Sequence, residues 1–67
     1  MKSVLRVFNM NSINDVTNIR NAVANNEGVI ACQINRDKGE VELVYDTSLV
    51  ELDRIIESLE DLGYTVL

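Results

Sequence analysis

A chain of 67 residues has room for one domain with one core, and a domain this small buries only about 60% of the surface its unfolded chain exposes. A net charge of −5, with six Lys and Arg scattered along the chain, excludes the basic patch by which nucleic-acid binders neutralise phosphates. The single cysteine, Cys32, excludes an internal disulfide framework, and no apolar run is long enough for a signal peptide or a membrane span, so a soluble cytoplasmic protein is expected.

The chain contains no proline, and glycine occurs only at 28, 39 and 63, which predicts compact elements joined by short turns. Residues 3–8 read as a strand rich in β-branched and aromatic types. Leu5 and Val7 share one face, while Val4, Arg6 and Phe8 share the other. Residues 13–25 read as a helix, because Ile13, Val16, Ile19, Ala22 and Val23 recur at spacings of three and four. Asn14, Asn18, Asn21 and Asn25 fall on the opposite, solvated side. Asparagine is a poor helix former, so this helix needs packing and good caps. Asn25-Asn26-Glu27-Gly28 ends it.

Residues 29–35 predict a second strand with Ile30, Cys32 and Ile34 facing inward. Arg36-Asp37-Lys38-Gly39 is a hairpin signal. Residues 40–46 alternate strictly, with Val41, Leu43 and Tyr45 inward and Glu40, Glu42 and Val44 outward, as expected for a sheet with one buried face. Helical spacing resumes at Leu52, Ile55, Ile56, Leu59 and Leu62. Ser48 with Glu51 fits a capping box, but a start nearer Glu51 suits the apolar stripe better. Gly63 stops the helix, and residues 64–67 supply a short last strand.

The order β-α-β-β-α-β is the ferredoxin-like α+β arrangement. Right-handed crossovers put both helices on one face of a four-stranded antiparallel sheet. The first and third strands become central, and the other sheet face stays open. Val4, Phe8 and Val44 fall on that open face, and contiguous exposed apolar area marks interaction surfaces.

The stretch Asn9-Met10-Asn11-Ser12-Ile13-Asn14-Asp15 joins the first strand to the first helix. Together with Gly28-Val29, Gly39, the Val41-x-Leu43-x-Tyr45-Asp46 strand and Gly63-Tyr64-x-Val66, it makes the chain resemble the heavy-metal-associated domain of copper chaperones and copper-transporting ATPases. The likeness runs from Leu5 to Val66, and implies one such domain over residues 1–67. The family's site is Gly-Met-x-Cys-x-x-Cys, whose thiolates suit soft Cu(I). The resemblance puts Ser12 and Asp15 at the two cysteine positions, and neither supplies a thiolate. No tightly bound metal or other cofactor is expected.

Ser12 and Asp15 instead approximate a capping box, with the Asp15 carboxylate complementing the helix dipole. Asn9 tolerates a positive φ where the family has glycine. Met10 is read as core filling under the loop, and Cys32 as a small buried hydrophobe. Tyr64 is read as a lid over the helix start. Asn11, Asn14 and Asp15 make a poor Ca²⁺ set, and a chain with no histidine and one cysteine makes a poor Zn²⁺ site.

No nucleophile–base pair, phosphate loop or paired catalytic carboxylates can be found, so an enzyme is not expected. The leading expectation is a metal-free domain that contacts a protein partner or a second copy of itself through Val4, Phe8 and Val44, binding neither nucleic acid nor membrane. The competing expectation is weak or atypical metal binding, or a metal-chaperone role, through Met10, Ser12, Asp15 and Tyr64. A small-molecule regulatory domain of the same topology is a third class, for which no residue selects a ligand.

Overall fold

The computed structural model describes all 67 residues. The element order is β1 (Lys2–Phe8), α1 (Ile13–Ala24), β2 (Val29–Asn35), β3 (Glu40–Tyr45), α2 (Leu52–Glu60) and β4 (Thr65–Val66). The strands form one antiparallel sheet in the order β2-β3-β1-β4. The ferredoxin-like expectation is met, with β1 and β3 central as the right-handed crossovers require.

The core lies between the sheet and the helix pair. Leu5 and Val7 of β1, Val41, Leu43 and Tyr45 of β3, Ile19 and Val23 of α1, and Ile55 and Leu59 of α2 are buried in one cluster. Period-two burial in β3 and a single apolar stripe on each helix place these side chains opposite one another. Val50 and Tyr64, both outside the regular elements, close the cluster from the two connections flanking α2.

Three local expectations are corrected and an open one is decided. Ile30 is not inward. The β2–β3 register slips between Val29 and Ala31, so Val29 takes the half-buried place and Ile30 is 70% exposed. A bulge of this kind leaves one residue outside the ladder. Ile13 opens α1 but is exposed, and the apolar stripe of that helix meets the core only from Val16 onward. Leu62 is also exposed. The second helix stops at Glu60, with Asp61 as C-cap, and Leu62 lies in the turn that follows. At the start of α2, where two readings stood open, the start nearer Glu51 holds and the Ser48–Glu51 capping box does not form. Glu51 is the N-cap of α2 and makes no side-chain cap bond, while Ser48 donates from both its backbone N–H and its hydroxyl to Asp46.

Candidate functional site

The β1–α1 connection turns sharply at Asn9, whose φ is +53°. Asparagine tolerates this left-handed region better than most residues. Its side chain fixes the turn over a long sequence distance. The Asn9 amide donates to the Gly63 carbonyl at 3.2 Å, and its carbonyl oxygen accepts from the Thr65 backbone N–H at 3.2 Å. One side chain thereby ties the loop to the start of β4. Met10 follows and points down into the core, 6% exposed, which is the filling role expected of it.

Ser12 is the N-cap of α1 in extended conformation. Its hydroxyl accepts from the Asp15 backbone N–H at 3.2 Å, and Asp15 Oδ2 accepts from the Ser12 N–H at 3.1 Å. This reciprocal pair is the capping box, and it satisfies two of the donors a helix start leaves unpaired. Asp15 Oδ2 also accepts from the Asn11 N–H at 2.9 Å and from the Ser12 hydroxyl at 3.2 Å. Its other oxygen, Oδ1, accepts the phenol proton of Tyr64 at 2.6 Å. Tyr64 is 9% exposed, so the ring covers the loop as expected, and its hydroxyl closes the site.

Both oxygens of Asp15 are thus engaged within the chain. The Tyr64 hydrogen bond, followed by that from the Asn11 N–H, holds the Asp15 carboxyl below the usual carboxylate range. Conversely, the bond to Asp15 and then burial raise the Tyr64 phenol, against the lowering influence of the Asn18 side chain. A carboxyl depressed on folding adds stability above its unfolded pKa and loses it as pH falls through the folded value. A phenol raised on folding adds stability below its unfolded pKa and loses it as pH rises through the folded value. Replacing Tyr64→Phe is therefore expected to flatten the urea midpoint against pH at both ends, below about pH 4 and above about pH 10. The residual acid slope of that variant belongs partly to Asp46, held down first by the Ser48 hydroxyl and then by the Ser48 N–H. An unchanged acid slope in Tyr64→Phe would show that the Asp15–Tyr64 bond contributes nothing.

Met10, Ser12, Asp15 and Tyr64, separated by up to 54 positions, lie together around the start of α1. The positive φ of Asn9 is readable from its residue type, whereas its bonds to residues 63 and 65 depend on where β4 returns. The hydroxyl and carboxylate oxygens of Ser12 and Asp15 are hard donors and do not fit a soft ion such as Cu(I), which favours thiolates. No group of three or more His, Cys, Asp or Glu side chains is placed to hold a metal ion. Cys32 lies half-buried on the helix side of β2, with its thiol pKa raised by burial against the lowering effect of Arg20. None of the three surface concavities includes a residue of loop 9–15. The largest, about 540 Å³, is lined by residues 25–27, 47–51 and Arg54.

Val4, Phe8 and Val44 share the open sheet face, but not as a continuous patch. Val4 is opposite Glu42, Val44 is opposite Lys2, and Arg6 stands between Val4 and Phe8. Lys2 Nζ lies 2.6 Å from Glu42 Oε1. Val4 and Phe8 are each about half exposed, while Val44 is half-buried among these neighbours. The alternation revealed the shared face. The pairing register, which interleaves the charges, was not visible before the strands were aligned.

No helix is long and apolar enough to cross a membrane. Residues 4–65 match the family model described as heavy-metal-associated domain. Copper chaperone CopZ of Staphylococcus aureus strain MRSA252 is 29% identical over 65 residues, which are 97% of this chain and 96% of that protein. The solved structure of a CopZ metallochaperone superposes with a TM-score of 0.96 at 28% identity, covering 100% of both chains. The solution structure of a putative copper-ion-binding protein from Bacillus anthracis gives 0.96 at 31% identity, covering 100% of this chain and 94% of the other. The chain belongs to the heavy-metal-associated domain family.

Proposed function

We propose that this chain is a non-enzymatic heavy-metal-associated domain that works through protein contacts and carries no soft metal in its first loop. The observation that supports this reading is the engagement of Asp15, whose Oδ2 serves the α1 cap and whose Oδ1 serves Tyr64. In the family pattern the two thiolates sit at the positions held here by Ser12 and Asp15. An ion approaching this loop would meet oxygen donors already committed to the fold. Displacing them would uncap the helix and leave the phenol of Tyr64 without its acceptor. The open face, with Val4, Phe8 and Val44 set among Lys2, Arg6, Glu40 and Glu42, has the mixed character of a non-obligate protein interface.

Weak metal binding through the same loop is the competing reading, and it rests on the relatives named as copper chaperones. Titrating Cu(I), Zn²⁺ and Ca²⁺ while following backbone amide shifts separates the two. The expected result is no saturable shift at residues 10–15 up to millimolar metal. A saturable shift there, with a matching movement of the Tyr64 ring signals, overturns the proposal.

A further inference from the structure

We propose that the free edge of β2 pairs with the β2 edge of a second copy of this chain, joining the two sheets antiparallel. This rests on the contact reading above and adds to the open face a second surface, the sheet edge, with a second copy as its partner.

β2 is an edge strand seven residues long. It contains no charged residue and no proline, the usual devices by which a free edge is kept from pairing. The bulge between Val29 and Ala31 protects its beginning and leaves Ala31–Asn35 regular. The direction of the backbone groups along that segment follows from β3. Tyr45 exchanges both of its backbone bonds with Met1, at 2.9 and 2.8 Å, and Val7 donates to the Gly39 carbonyl at 2.7 Å. In an antiparallel ladder the direction alternates along the strand, so Glu40, Glu42 and Val44 turn their N–H and C=O groups toward β2. Their partners Asn35, Gln33 and Ala31 use theirs in return. Cys32 and Ile34 therefore aim N–H and C=O outward at the free edge.

This outward pair is self-complementary about Gln33. A two-fold axis there sets Cys32 of each copy opposite Ile34 of the other, and each such pair exchanges two backbone bonds. Cys32 and Ile34 both lie on the helix side of the sheet and are half-buried, so the seam meets apolar against apolar. Gln33 meets its own copy on the open face, amide to amide. The flanking charges agree with this direction. Glu27 lies ahead of β2, and the turn behind it carries Arg36 and Lys38 against Asp37. Antiparallel pairing brings each Glu27 end toward the net positive turn of the other copy. This match is what favours a second copy over an unrelated strand, in a chain whose overall charge of −5 otherwise opposes self-association.

The register gives a sharp test. In a Cys32→Ala background, Gln33→Cys places two thiols across the axis in a non-hydrogen-bonded pair, about 4.5 Å between Cα atoms, within reach of a disulfide. Mild oxidation with diamide is expected to convert this variant to covalent dimer. Ala31→Cys in the same background, whose counterpart lies four positions away at roughly 13 Å, is expected to remain monomeric. Sedimentation equilibrium of the unaltered chain is expected to show a concentration-dependent dimer, which Gln33→Lys abolishes by opposing two like charges at an exposed position. Equal cross-linking at 31 and 33, no cross-linking at 33, or a dimer that survives Gln33→Lys each overturns the proposal. The last of these leaves the contact reading standing and moves the contact elsewhere, whereas the metal titration tests that reading without involving this edge.

Discussion

Replacing Ser12→Cys and Asp15→Cys together is expected to give this domain tight Cu(I) binding, with none expected of the parent chain. The side chains at 12 and 15 already converge, with Ser12 Oγ 3.2 Å from Asp15 Oδ2. Two sulfurs carried on the same backbone can bracket one soft ion. Position 12 is the N-cap and position 15 lies in the first turn of α1, where the helix dipole favours the thiolate over the thiol. Met10 is already buried beneath the loop, so the support under the site is in place. The exchange also has a cost. Losing the Ser12 cap destabilises the helix start by about 1 kcal/mol, and Tyr64 loses the acceptor for its hydroxyl. Competition against a coloured Cu(I) chelator under reducing conditions reads the outcome. The variant is expected to withdraw Cu(I) from the chelator and the parent chain to leave its absorbance unchanged. A folded double variant that takes up no Cu(I) would falsify the placement of Ser12 and Asp15 at the family's thiolate positions.

The same loop shows how far residue patterns reach. The capping box was legible because it is a local rule, a hydroxyl and a carboxylate three residues apart ahead of an apolar stripe. The fold was legible for a related reason. Strict alternation in β3 and the stripe of α2 each allow one buried face, and the β-α-β-β-α-β order leaves few ways to combine them. What escaped depends on register. The bulge that turns Ile30 outward is a property of how β2 meets β3, and alternation alone cannot anticipate an extra residue. The charges set beside Val4 and Val44 follow from the pairings Lys2 with Val44 and Val4 with Glu42, which no single strand encodes, whereas Arg6 between Val4 and Phe8 is legible within β1 alone. Asn9 is intermediate. Its backbone conformation was readable, whereas its two side-chain bonds join residues 54 and 56 positions apart.

Gly28→Ala is expected to cause the largest loss of stability of any single methyl addition to this chain's glycines, and Gly63→Ala provides the control. Both residues have positive φ, +95° and +96°. A side chain in that region costs about 1–2 kcal/mol at either site. Their surroundings differ. A Cβ on Gly28 would lie 2.7 Å from Leu49 Cβ, 3.1 Å from Val50 Cγ1 and 3.4 Å from the Asp46 carbonyl oxygen, whereas one on Gly63 meets nothing within 4 Å. Leu49 Cβ is fixed to its own backbone and cannot swing aside as the end of a long side chain can. Relief must come from moving the segment that leads from β3 into α2, and that segment carries the buried Val50 and donates the ladder-end bond from Asp46 N–H to the Gly28 carbonyl at 2.8 Å. Overpacking of this kind adds about 1–3 kcal/mol to the backbone strain. A domain of this size holds only about 3–10 kcal/mol in all, so Gly28→Ala should lower the melting temperature by at least about 10 °C. Gly63→Ala should show the backbone penalty alone. Thermal melts of the two variants side by side decide the matter: equal losses would mean that the 28–49 approach relaxes freely, and that the connection into α2 is not held by the close packing described here.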